Sequence, residues 1–315
     1  MYYIGFDIGG TKCAVSLGKA ENGINILKRE EVPTDFDPKT TLEKLALYVE
    51  EYKRDYEILG AGISCGGPLD TQNGCILNPP NLKGWTNFPI VSYIKERFSL
   101  EARLQNDANA CAIAEWKFGA GQGKQNIVFL TFGTGLGAGL ILNGKLYEGA
   151  NGNAGEVGHI RLAKTGPYAY GKYGSFESFC SGSGIARLAK IGTKNKKYAG
   201  AAKEFYKCVG GKEKTTTKEL AKYAREGNTF CKAVFRKSSQ SLGKALSMLV
   251  DTLNPECIIL GGVFMRCMDL LLPECKKVMA KECLPYSYEL LSILPAGLGE
   301  QVGDYAAIAV AMGDY

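Results

Sequence analysis

The chain predicts an α/β protein built around a repeated half. Three observations carry that prediction. A strand, a polar glycine turn and a second strand open the chain as "GFDIGGTKCAVSLG", and the same pattern returns about one domain later as "FLTFGTGLGAGLILNG". Strand-like apolar runs then alternate with runs of helical periodicity, the pattern of an α/β fold. The chain closes on two further strand–helix pairs, "ECIILGGV" with the helix after it and "LLSILPA" with a final helix from about Val302.

The elements follow in order. "YYIGFDIGG" and "TKCAVSLG" read as the first hairpin, and "GINILKREEV" as a third strand. Leu42, Leu45, Val49 and Tyr52 recur at helical spacing, which predicts a helix over about 40–54. "YEILGAGIS" is a buried strand. The stretch from Cys65 to Pro89 is punctuated by Gly, Pro and Asn and is expected to be a loop with no element of its own, of a length that tends to be functional. "EARLQN" is a short strand leading into the helix "DANACAIAEWKFG". After the second hairpin the chain is expected to be helical to residue 252. Two domains fit: an N-terminal one over 1–110, onto which a C-terminal helix of about 301–315 packs back, and a larger one over 111–300.

Composition narrows the function. Of 315 residues 45% are hydrophobic, enough for a sizeable core. No apolar run reaches about 18 residues, so no membrane span is expected. No signal peptide is read at the start, which points to the cytoplasm. The 11 cysteines include no C-x-x-C pair, and free thiols are expected in a reducing compartment. The net charge is +6, yet residues 187–226 alone hold 12 Lys/Arg against 4 Asp/Glu. No aromatic stacking pattern runs through those lysines, so a solvated helical surface is the expectation and no nucleic acid is expected as a partner.

The glycine turns carry the chemistry. Glycines accept positive φ and let backbone N–H groups approach a ligand, and successive N–H groups form an anion-binding concavity. Gly9, Gly10, Thr11 and Lys12 in the first turn, and Gly133, Thr134 and Gly135 in the second, are therefore candidate phosphate binders. Asp7 cannot meet phosphate directly, but it can hold Mg²⁺, directly or through water. Gly261 and Gly262 follow a strand and are positioned to approach an adenine or ribose. No Walker A loop and no helix-opening G-x-G-x-x-G fingerprint occurs. Asp107, between a strand and a helix, reads equally as an N-cap or as a base.

"DIGGTK", "QNDANACAIAE", "TFGTGLGAGLILNG", "NAGEVGH" and "NPECIILGGV" together resemble, in order and spacing, the ROK family of sugar kinases. The likeness runs from residue 3 to the last helix. It implies a two-lobed ribonuclease H-like fold of the actin and hexokinase type, with a duplicated β-sheet core and an interdomain cleft that closes over a sugar. It implies ATP and Mg²⁺ as cofactors, a hexose substrate and a homodimer. Asp107 then matches the catalytic base, and Asn106, Asn81, Glu156, His159 and Glu177 match sugar contacts, with Gly66 in the loop behind the sugar. Asp7, Thr11 and Thr134 match phosphate and Mg²⁺ positions. Glucose or a close relative is the first substrate, an N-acetylhexosamine such as N-acetylmannosamine the second, and fructose or allose the third. The family also holds repressors with a helix-turn-helix before the first hairpin; only two residues precede Tyr3 here, so a kinase is expected. The alternatives kept open are a sugar-responsive regulator without catalysis and an ATPase that uses no sugar.

One departure stands out. Family members carry a zinc site, C-x-C-G-x-x-G-C, after the motif that ends in His159. Here the cysteine positions hold Tyr168, Tyr170 and Ser175. Zinc favours thiolate and imidazole ligands, so no structural zinc is expected. His159, the only histidine in the chain, is left with its sugar contact, and the tyrosines are expected to replace the metal by packing.

Overall fold

A computed structural model describes residues 1–21, 23–192, 196–313 and 315. In chain order the elements begin with β1 (Tyr2–Ile8), β2 (Lys12–Ala20), β3 (Ile24–Pro33), α1 (Pro38–Asp55), β4 (Ile58–Cys65), β5 (Leu69–Asp70) and β6 (Cys75–Ile76). They continue through α2 (Ile90–Phe98), β7 (Ala102–Asn106), α3 (Asp107–Phe118), β8 (Ile127–Phe132), β9 (Leu136–Leu142) and β10 (Lys145–Leu146). Next come β11 (Tyr168–Ala169), β12 (Lys172–Tyr173), α4 (Phe176–Cys180), α5 (Gly182–Ile191), α6 (Ala199–Cys208), α7 (Thr217–Arg225) and α8 (Thr229–Leu253). The chain ends with β13 (Cys257–Leu260), α9 (Val263–Arg266), α10 (Met268–Glu282), α11 (Pro285–Leu290), β14 (Ser292–Pro295) and α12 (Val302–Met312).

The expected duplication is visible in the strand order. One sheet runs β3-β2-β1-β4-β7 and the other β10-β9-β8-β13-β14. Position for position these match: a three-stranded meander, then two strands entered by crossovers. β4 lies parallel to β1, and β7 parallel to β4, as crossover connections require.

The chain divides into two compact units, one of Met1–Phe129, Gly139–Gly155 and Ala296–Tyr315, the other of Leu130–Ala138 and Glu156–Pro295. The first unit reaches beyond residue 110, and the reason is packing. Ala110, Ile113 and Ala114 of α3 share one core with Ala306, Ala309 and Val310 of α12. α12 also lies directly on the first sheet. A Cβ on Gly62 would overlap the Ala307 carbonyl, and one on Gly18 would come within 2.8 Å of Ile308. Asp304 anchors the helix: it accepts from Ser16 Oγ at 2.8 Å and from Arg29 Nε at 3.0 Å. Such an ion pair, nearly buried on the carboxylate side, holds register more than it adds stability.

α1 forms as its sequence dictates. Asp37 caps it by accepting from Thr40 N at 3.0 Å, Pro38 occupies its first turn, and Leu42, Leu45, Val49 and Tyr52 turn inward. Two expectations need correction. The stretch 65–89 is not wholly irregular, since Leu69 and Asp70 pair with Ile76 and Cys75. The chain after the second hairpin is not continuously helical to residue 252: helices start at Phe176, and those after α5 are separated by glycines at positive φ, Gly192, Gly210, Gly211 and Gly227.

Candidate functional site

In the first unit three neighbouring parallel strands deliver the candidate residues at their C-terminal ends, where open α/β sheets bind ligands. β1 ends beyond Asp7, β4 at Cys65 and β7 at Asn106, and the register pairs Ile8 with Cys65 and Cys65 with Asn106. Gly66 lies beside the next residue, Asp107: a Cβ there would be 3.9 Å from Asp107 Oδ2. A Cβ on Gly67 would be 3.4 Å from Asn106 Nδ2. Asp7, Gly66, Asn106 and Asp107 are thus brought together by the sheet itself.

Of the two sequence readings of Asp107, the structure corrects the cap. Asn106, not Asp107, is the N-cap of α3, its Oδ1 accepting from Ala108 N at 3.0 Å. Asp107 is the first helical residue, and its Oδ1 accepts from the same N–H at 2.8 Å. Its other oxygen is left for a ligand. The carboxyl is open to solvent, yet enough protein surrounds it that desolvation raises its pKa above the usual carboxylate range. Behind it, buried Gln105 accepts from Asn106 N at 2.8 Å and from Asn109 Nδ2 at 3.2 Å, and donates to Glu148 Oε1 at 3.1 Å. Neither Gln105 nor Glu148 was singled out from the sequence. The glutamine directly before "ND" was the available signal.

Asp7 has no hydrogen-bond donor among the described residues. Burial pushes its pKa up to about 6, with the charges of Asp304 and Asp107 adding to the rise. Gly303 keeps room beside it, since a Cβ there would be 3.2 Å from Asp7 Oδ2. Arg29 and Lys12 offset only part of the rise in its pKa, and a buried carboxylate oxygen beside further carboxylates suits a hard divalent cation, so Asp7 fits Mg²⁺. The first turn lies just beyond. Thr34 donates to the Gly9 carbonyl at 2.6 Å, and Thr34 N donates to the Thr11 carbonyl at 3.1 Å. Gly10 must be glycine, because a Cβ would overlap the Asn81 carbonyl. That contact also brings Asn81 to this turn. Lys12 is paired with Glu31 at 2.8 Å, an exposed pair of small worth.

The second unit holds the other turn. Gly133 N donates to the Gly135 carbonyl at 3.1 Å and closes it. The start of α5 backs it: Gly182 N donates to the Gly133 carbonyl at 2.9 Å, and Ser183 Oγ to the Thr134 carbonyl at 2.7 Å. These contacts orient the turn's carbonyls inward. Gly261 N donates to the Leu130 carbonyl at 2.9 Å, and a Cβ on Gly262 would overlap the Phe132 carbonyl. The third glycine cluster therefore lies against the second turn. The "SGSG" at 181–184 was the missed signal, since Ser181 is the N-cap of α5.

Glu177 is nearly buried, at 7% exposure, and its Oε2 accepts from Leu136 N at 3.0 Å. Burial raises its pKa, and that N–H, His159 and Arg187 pull it back. The carboxylate expected to read a sugar thus ties the first residue of β9 to α4. His159 ends a short 3-10 turn, Val157–His159, that packs at the same place: a Cβ on Gly158 would lie 3.4 Å from Glu177 Cβ. The imidazole is half exposed, with Nε2 3.8 Å from Glu156 Oε2 and its ring 5.5 Å from that of Tyr170. Ser175 caps α4 by accepting from Ser178 N at 3.2 Å. Among the described residues, no three His, Cys, Asp or Glu side chains gather closely enough to hold a metal.

The Lys-rich segment lies on α5, α6 and α7, with residues 193–195 outside the described residues. Lys190 pairs with Glu213 at 2.9 Å, and Lys212 and Lys222 lie over the rings of Tyr206 and Tyr223. No helix among the described residues is long and apolar enough to cross a membrane.

Comparison with known proteins places this geometry. The ROK family model matches residues 3–313. A glucokinase of Thermotoga maritima is 30% identical over 310 residues, covering 98% of this chain and 96% of that protein. Among solved structures, a ROK hexokinase from Thermus thermophilus aligns with a TM-score of 0.80 at 28% identity, over 99% of this chain and 98% of that one. A ROK family glucokinase from Streptomyces griseus, in complex with glucose and AMPPNP, aligns with a TM-score of 0.80 at 29% identity over the whole of both chains.

Proposed function

The chain belongs to the ROK family and has the hexokinase-type fold, and from that premise we infer an ATP-dependent sugar kinase whose acceptor is a hexose, glucose first. The observation that carries the reading is the convergence of Asp7, Gly66, Asn106 and Asp107 on three adjacent strand ends of the first unit. The glucose and AMPPNP held by the Streptomyces griseus relative support the choice of sugar and nucleotide.

Each group has a stated task. The hexose hydroxyl is a poor nucleophile. Asp107, whose burial raises its pKa and so its readiness to take a proton, accepts the hydroxyl proton while the oxygen bonds to the γ-phosphorus and ADP leaves. Asn106 and Gly66 hold the sugar against that carboxylate, and Gln105 fixes the strand end that carries both. Asp7 is the residue to hold Mg²⁺, directly or through water, and the ion neutralises phosphate charge. The Gly9–Thr11 turn and, in the second turn, the N–H groups of Thr134 and Gly135 face phosphate oxygens, the Gly133 N–H being spent on closing the turn, with Gly261 and Gly262 beside the second. Glu156 and His159 are hydroxyl acceptors for the sugar. Glu177 acts on the sugar only through the loop it anchors.

ADP formation with Mg-ATP across hexoses and N-acetylhexosamines tests the reading. Sugar-dependent ADP, largest with glucose, is expected. ADP release that ignores every sugar points instead to an ATPase. No turnover, combined with tight, steeply salt-dependent DNA binding, points to a regulator.

A further inference from the structure

The segment 168–175 departs from the family, and its geometry shows what took the metal's place. A single imidazole, two phenols and a hydroxyl do not suit zinc, and Ser175 is already spent as a helix cap. Instead the segment folds as a hairpin. Tyr168 pairs with Tyr173 and Ala169 with Lys172, and Tyr170 and Gly171 form the two-residue turn between them. Both have positive φ, +44° and +76°, which makes the turn type I′. Such turns favour Asn-Gly, and a bulky aromatic residue at their first central position is strained. Strain of this kind marks a side chain held for a purpose.

The contacts of the hairpin lie at His159. The Tyr170 ring lies 5.5 Å from the imidazole at 50°, within the range of favourable aromatic pairs. Lys172 Nζ, from the far strand of the hairpin, donates to the His159 carbonyl at 2.9 Å. Across the strands the rings of Tyr168 and Tyr173 pack edge to face at 5.0 Å and brace the hairpin. The imidazole is thus set with Tyr170 against its ring and the Glu156 carboxylate 3.8 Å from Nε2. Burial, with the charges of Glu177 and Glu156, raises the pKa of the Tyr170 hydroxyl, and Arg187 offsets part of the rise.

We propose that Tyr170 is a positioning residue that does by ring packing what a metal does in zinc-bearing relatives: it fixes the His159 imidazole for a sugar hydroxyl. This rests on the sugar-kinase reading, and the test separates the two. Because His159 is the only histidine, its ring protons give unambiguous NMR signals that carry the ring-current shift of Tyr170. Two variants of the full chain are compared, Tyr170→Asn, which suits a type I′ turn, and Tyr170→Phe, which keeps the ring. In Tyr170→Asn the imidazole signals move, the hexose KM rises about tenfold and kcat and the ATP KM stay within about twofold. The melting temperature holds or rises, which a merely structural role does not allow. Tyr170→Phe keeps both signals and KM. Unmoved signals with an unchanged hexose KM in Tyr170→Asn overturn the proposal, as does a Phe variant as impaired as the Asn one. If the wild type phosphorylates no sugar, the function reading fails on its own. Cross-relaxation between the imidazole and Glu156 side-chain protons, which carries no ring current, then still decides the positioning claim: it weakens in Asn and is kept in Phe if the claim is right, and is equal in both if it is wrong.

Discussion

The two glycine turns occupy the same place in two sheets of the same strand order, yet they differ in charge. Two residues before Gly9 stands Asp7, a carboxylate crowded by Asp304 and Asp107. Two residues before Gly133 stands Thr131, and Glu177 beside this turn accepts the Leu136 N–H through one of its oxygens. The first turn therefore belongs to a site where carboxylates outweigh the Arg29 and Lys12 charges acting on Asp7. The second is a set of amides held in place by neighbouring backbone and by Ser183. The duplicated scaffold has its glycines in both copies, while the carboxylates at the turn itself stand in the first.

The sharpest way to break this division is Asp107→Asn. If the first unit holds the chemistry, kcat falls about 10²–10⁴-fold while hexose affinity stays within about tenfold, since the amide keeps most hydrogen bonding. Single-turnover kinetics beside sugar calorimetry check this, and unchanged turnover removes Asp107 as the base.

Asp7→Asn comes next and has two opposed effects. Turnover with Mg-ATP drops by roughly 10²-fold as the ion's ligand is weakened. The ligand-free protein, however, becomes more stable at pH 7.5. A carboxyl raised to about 6 binds its proton more tightly folded than unfolded. Its stabilising contribution is complete below about pH 4 and is lost as pH rises to about 6. Asparagine removes that penalty, so melting temperature rises by roughly 2–6 °C at pH 7.5 and is unchanged at pH 4. Equal shifts at both pH values contradict the charge argument.

Glu177 gives the smallest and most discriminating effect. Glu177→Ala leaves the Leu136 N–H unpaired and costs about 1–3 kcal/mol of stability. If the carboxylate serves the turn, the ATP KM rises more than the hexose KM, and Glu177→Gln, which can still accept, recovers most of it. A larger effect on the hexose KM returns Glu177 to the sugar.

Much of this was legible because it is local. The hairpins, α1, α3 and α12 follow from periodicity and punctuation, and the repeat of two glycine turns announced the paired sheets. What escaped depends on distant partners. Asn106 rather than Asp107 caps α3 because Gln105 and the preceding strand fix its φ and ψ, which the dipeptide does not declare. The bond that ties Glu177 to Leu136 escaped because the two are 41 residues apart. The helices after Phe176 merged into one run because glycines within a polar stretch carry no sign of their φ. Tyr170 drew notice as a missing cysteine, but its left-handed backbone is a property of the turn.

The closing helix has a consequence for how the chain is made. α12 fills the space above Gly18 and Gly62 and hands Asp304 to Ser16 and Arg29, so the sheet that begins the chain is completed by residues near its end. Glu156–Pro295 must be synthesised in between, an interval of roughly 7–28 s at about 5–20 residues per second. Throughout it the glycine-lined face of the first sheet stands uncovered on the ribosome. That is the window in which a chaperone, or a premature stop, would decide the fate of the nascent chain.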